Sequence, residues 1–148
     1  MNNLSRSGKV TRVSNAVAAG TTDIECSSVD MQGFGAVTFC ALFGAITANA
    51  VTSVKAQQSS DNGSADDWSD LEGTSISVAD DADNKVVVLE VANPRKRYVR
   101  CVVDRGTQNA VVDGVLAIQT CADVEPVTHD STTVVNSEFH HAPAEGTA

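Results

Sequence analysis

The strongest constraint on this chain is how often its apolar runs are interrupted. Asp61-Asn62-Gly63, Glu72-Gly73, Asp83-Asn84, Arg105-Gly106 and Asp113-Gly114 recur between short stretches rich in Val, Ile and Thr. Gly and Asn tolerate positive φ, and Asp and Asn bond their own backbone, so each pair bends the chain. Asn93-Pro94 ends another run, because Pro offers no N–H to a ladder. Strands are expected over residues 22–29, 36–46, 51–58, 74–78, 85–91, 98–103, 110–112 and 115–121. β-Branched side chains suit these runs, since their stiff first torsion crowds a helical turn. Residues 36–46 are apolar at consecutive positions, as a strand covered on both faces would be. No long stretch carries a helical period with caps. The series predicts an all-β fold: one single-domain β-sandwich, jelly-roll-like.

Length and composition fit that reading. A chain of 148 residues is one domain, and one this size buries enough surface to need neither metal nor disulfide staples. Aromatic residues are only 4%, so the core must rest on aliphatic side chains. The formal charge of −9 argues against nucleic acid and against anionic membranes as partners. No apolar run is long enough to span a bilayer. The N-terminus has cations but no apolar h-region, so a signal peptide is not expected.

Residues 1–20 read as a polar, basic N-terminal arm, 21–125 as the β-sandwich core, and 126–148 as a C-terminal tail. Val134-Val135 offers the tail one edge strand. Cys26, Cys40, Cys101 and Cys121 lack the tight spacing of a metal or redox motif. They read as free thiols that pack as small hydrophobes within strands.

The search for chemistry yields no cofactor, no metal site and no enzyme. Asp61 to Glu72 has the length of a calcium loop. Its third and fifth positions are Gly63 and Ala65, however, and the sixth is Asp66 where Gly is needed. His129, His140 and His141 have no matching ligand at short spacing. Asp66-Asp67 lie in a loop where burial is hard to arrange. There is no nucleophile elbow and no phosphate-binding glycine loop.

Two clusters of charge stand apart. Asp61, Asp66, Asp67, Asp70, Glu72, Asp80, Asp81 and Asp83 form an acidic stretch, and Arg95, Lys96, Arg97, Arg100 and Arg105 follow as a basic one. They can pair within the molecule or between molecules. The lone Trp68 sits in the acidic stretch. It is expected to fold back and cap an open end of the sandwich, with a role as a contact anchor as the alternative.

The run from Val51 to Gly106 resembles small structural proteins encoded among the head genes of tailed bacteriophages. The elements that carry the resemblance are Gln57-Gln58, Asp61-Asn62-Gly63, Trp68-Ser69-Asp70-Leu71-Glu72-Gly73, and Asn93-Pro94 through Tyr98-Val99-Arg100. The resemblance implies a capsid cement, or decoration, protein with a jelly-roll-like fold on the outer surface of the virion. Its partners would be the major capsid protein and itself, as dimer or trimer. The residues expected to dock are Arg6, Lys9 and Arg12 in the arm and Arg95, Lys96 and Arg97 in the basic turn. A tail or head–tail joining protein, or a carbohydrate-binding sandwich stacking sugar on Trp68, are the alternatives.

Overall fold

The computed structural model describes residues 3–147; Met1 and Asn2 of the expected arm and Ala148 of the expected tail lie outside them. The elements run α1 (Leu4–Ser7), β1 (Lys9–Ser14), β2 (Val17–Gly20), β3 (Ile24–Glu25), β4 (Val29–Asp30) and β5 (Phe34–Ile46). After these come β6 (Thr52–Ser59), β7 (Ser69–Asp70), β8 (Ile76–Val78), β9 (Val86–Ala92), β10 (Tyr98–Arg105) and β11 (Ala110–Ala122).

Two antiparallel sheets face each other, so the all-β sandwich expected from the turn pattern is the fold. In the first sheet β1 and β2 share one edge of β11, followed by β5 and then β9. In the second, β3 and β4 share one edge of β10, followed by β6, with β7 and β8 along its far edge. The pairing is nested. β6 meets β7 and β8, β5 meets β9, β10 meets β3 and β4, and β11 meets β1 and β2. The chain is therefore one long folded-over ribbon whose tip is the loop at residues 60–68.

The core lies between the sheets and follows the period of two that strands impose. Along β5, Val37, Phe39, Ala41 and Phe43 point inward and are almost wholly buried. Val54, Val99, Val103, Val112 and Val115 meet them from β6, β10 and β11. Valine is thus the commonest core residue, packed around two phenylalanines. Asp113-Gly114, read as a turn, is instead a bulge that shifts the register within β11 and joins two expected strands into one.

The N-terminal segment is not a free arm. β1 pairs with β11 from Lys9↔Gln119 to Ser14↔Val115, and Val13 is buried in the core. An edge strand needs only one inward apolar side chain, so the polar, basic composition of this stretch hides its strand. Cys40 is only half-buried and Cys121 is exposed, so just Cys26 and Cys101 are core thiols. Those two sit opposite each other where β3 continues beside β10, Cys26 N–H donating to the Cys101 carbonyl at 3.0 Å. A side-chain hydrogen bond with the Cys26 thiol, together with burial, pushes the Cys101 thiol well above the usual range.

The C-terminal segment forms no strand at Val134-Val135. It is tied to the N-terminus instead. Val127 N–H donates to the Arg6 carbonyl at 2.8 Å. His129 accepts the Val10 N–H at Nδ1 (3.2 Å) and meets the Ser5 carbonyl through Nε2 (3.0 Å). A neutral ring with its proton on Nε2 satisfies both partners.

Candidate interaction surface

The ribbon tip is built by its own side chains. The buried Ser59 Oγ accepts the Gly63 N–H at 2.8 Å and donates to the Asp66 carbonyl at 2.7 Å. The Asp61 carboxylate accepts the backbone N–H of Ser64, Ala65 and Asp66, with Ala65 nearest at 2.7 Å. These N–H donors, Ala65 first, hold the Asp61 carboxyl below the usual range. Asp66 accepts Ser60 N–H and Oγ–H, and both its oxygens accept from Lys96 Nζ at 2.9 and 2.7 Å. The Lys96 ammonium, then Ser60, bring its pKa down to about 2. Asp70 binds Lys55 and Gln57, while Asp80 and Asp83 accept the N–H of Asn49 and Ile46. Much of the acidic stretch therefore serves as local acceptors that shape turns. Among the described residues no cluster of His, Cys, Asp and Glu could hold a metal ion.

Trp68 does not cap the end of the sandwich. Its ring is half-buried and lies outside the core cluster. The Arg100 guanidinium carbon stands 4.6 Å from the ring centroid, a cation–π distance. On another side the ring meets Gly63, where an added Cβ would fall 2.4 Å from Nε1 and where φ is 77°. Only glycine fits that spot. The short polar tip is too small to carry the indole inward, so the ring lies across the outer face of the second sheet. Arg100 also binds both Glu25 oxygens at 3.1 Å and donates to Gln57 Oε1 at 2.8 Å. Glu25, Arg100, Gln57, Asp70 and Lys55 thus form a connected polar layer beneath Trp68.

The six cations expected to dock do not form one patch. Lys96 is engaged by Asp66, and Arg97 makes a two-pronged pair with Asp30 at 2.9 and 2.6 Å. Arg97, followed by the Gln32 N–H, lowers the Asp30 carboxyl, and the Lys9 charge contributes. Two cations far apart in sequence, Arg97 by contact and Lys9 by its charge, thus act on one carboxylate. Arg95 and Arg6 are exposed, and neither has an ion pair among the described residues. Arg12 points away from this neighbourhood, onto the outer face of the first sheet beside its register partner Leu116.

That outer face has a different chemistry. Its ladder positions form cross-strand rows: Val10, Ile118, Thr38, Glu90; then Arg12, Leu116, Cys40, Val88; then Gly114, Leu42, Val86. Val86 is 53% exposed, Val88 58% and Leu42 39%. The molecule thus presents a networked ionic face on one sheet and an apolar face on the other.

Arg105, placed with the basic cluster by its sequence position, is a buried structural cation, 4% exposed. It donates to the carbonyls of Thr22 (2.7 Å), Ala18 (2.8 Å) and Ala110 (2.8 Å). Gln119, also buried, donates to the Asp30 carbonyl at 2.7 Å. The sequence signal for both was their place on the inward phase of strands otherwise valine-rich. No protein-family model matches this chain, and no curated protein matches it.

Proposed function

We propose that this chain is a structural virion protein that decorates an icosahedral phage capsid and stabilises it by bridging capsomers. The observation that carries the reading is the meeting of the segments on which the resemblance rests. Gln57 accepts from Arg100 and donates to Asp70; Trp68 lies on Arg100; Asp66 binds Lys96 beside Asn93-Pro94. Segments some forty positions apart in sequence converge on one rigid polar face, as expected of a surface built for contact. The strand count supports the finer fold reading. If each broken pair, β1 with β2, β3 with β4 and β7 with β8, is counted as one strand, two four-stranded sheets result, as a jelly roll would have. The carbohydrate-binding alternative needs an open Trp68 face, and Arg100 occupies one.

In this reading the exposed cations Arg6 and Arg95 remain for docking, Arg12 stands on the outer face of the other sheet, and Lys96 and Arg97 hold the ionic face in shape. A ligand that binds only the assembled shell stabilises it by mass action. The test is to add purified protein to shells lacking it, sediment the mixture, and heat the pellets. Co-sedimentation with heads and a raised disruption temperature are expected. Protein that sediments with tails and never with heads would replace the reading with the tail or head–tail alternative.

A further inference from the structure

We infer that the outer face of the first sheet joins this chain to a second copy of itself, face to face, about a two-fold axis running along the strands between β11 and β5. Three observations carry it, and none depends on the capsid reading.

The first is size. Four strands at about 4.8 Å spacing and three cross-strand rows at about 6.8 Å give a face of roughly 400 Å² per copy. Two such faces bury about 800 Å², the scale of a weak, reversible association. The exposed apolar side chains Leu42, Val86 and Val88 are contiguous with the half-buried Cys40, Leu116 and Ile118 across three neighbouring strands. A contiguous apolar patch of this kind on a small domain is often a functional contact surface.

The second is charge. A chain at −9 repels its own copies. That repulsion is weakest where the approaching surfaces carry few charges, and this face holds one cation, Arg12, with two anions at its margins, Glu90 and Asp113.

The third is where Arg12 and Glu90 stand. Arg12 is on β1 and Glu90 on β9, the two lateral edges of the sheet, about 14 Å apart by strand spacing and so unable to pair within a copy. The two-fold axis lays β1 of each copy over β9 of the other. Arg12 then faces the second copy's Val88, one row from the second copy's Glu90, about 7 Å along the strand and within reach of a guanidinium. The same pair forms twice, as a two-fold interface requires. The opposite sheet offers no comparable surface, because its outer face is filled by the ionic network.

Sedimentation velocity on the full chain tests this. Wild-type protein is expected at twice its 15.4 kDa chain mass. Val88→Lys, at an exposed position, should give a folded monomer by circular dichroism. Arg12→Glu and Glu90→Arg should each raise the dimer dissociation constant about tenfold or more. The double variant should recover most of that loss, which no contact within one copy could produce. A wild-type monomer at high micromolar concentration overturns the inference. So does a dimer indifferent to Val88→Lys, and so does the absence of rescue in the charge swap. A monomer whose shell binding is lost in Val88→Lys would assign the face to the capsid instead.

Discussion

Arg105, on β10 of the second sheet, reaches backbone of β2, of Thr22 just after it, and of β11 in the first sheet. Its guanidinium serves the Ala18, Thr22 and Ala110 carbonyls at one end of the sandwich. Arg105→Met would leave those acceptors without their donor, at about 3 kcal/mol or more from the cost of unmade buried bonds. Arg105→Lys should recover little, since an ammonium lacks the planar fork. Equilibrium denaturation in urea measures both. Asp66 gives a pH signature. Its folded pKa, about 2, lies below the ordinary carboxylate value because Lys96 and Ser60 bond the charged form. The stability it supplies is therefore complete above the ordinary carboxylate range and is lost as pH falls toward 2. An NMR titration of the Asp66 carboxyl should show that midpoint, and Lys96→Met should move it back up. Side-chain roles such as these were the least legible part of the sequence. Runs of Asp announce turns, but which oxygen meets Lys96 depends on strands that lie far along the chain.

The strands themselves were easier to read, and their failures are instructive. Residues 51–58, 85–91 and 98–103 fall on β6, β9 and β10 with shifts of a residue or two. In these runs apolar residues are dense and turn residues bound them. β1 was missed because it lies at a sheet edge with one buried side chain, Val13. Its polar residues face solvent or neighbouring loops, so nothing in its pattern separates it from a disordered arm. The consequence is testable. Deleting residues 1–15 removes β1 and bares one edge of β11 over Val115 to Gln119. An unpaired edge of that length invites association with other chains. The truncated protein is expected to elute as aggregate or to unfold at lower temperature, whereas a dispensable arm would leave a folded monomeric or dimeric domain unchanged.

The sandwich was legible because turn chemistry and a period of two are local signals. The contrast between its outer faces was not, because a face is assembled from rows that cross four strands. Leu42, Cys40, Val88 and Leu116 are neighbours only once the register is known. The nested pairing also shapes how the chain reaches its fold. The ribbon tip joins residues close in sequence, as in Gln57↔Asp70, while the outermost pair joins Lys9 to Gln119. Closing a loop costs more entropy as it lengthens, so the tip is expected to form first and the β1–β11 seam last. Stopped-flow refolding followed by Trp68 fluorescence should report the tip, and pulsed hydrogen exchange should show late protection of the β1 and β11 amides. Refolding in milliseconds to seconds is the range for so non-local a topology. During that interval the zipper is open at its far end, and the time the seam stays unmade sets how long each newly made chain is exposed to capture by its neighbours.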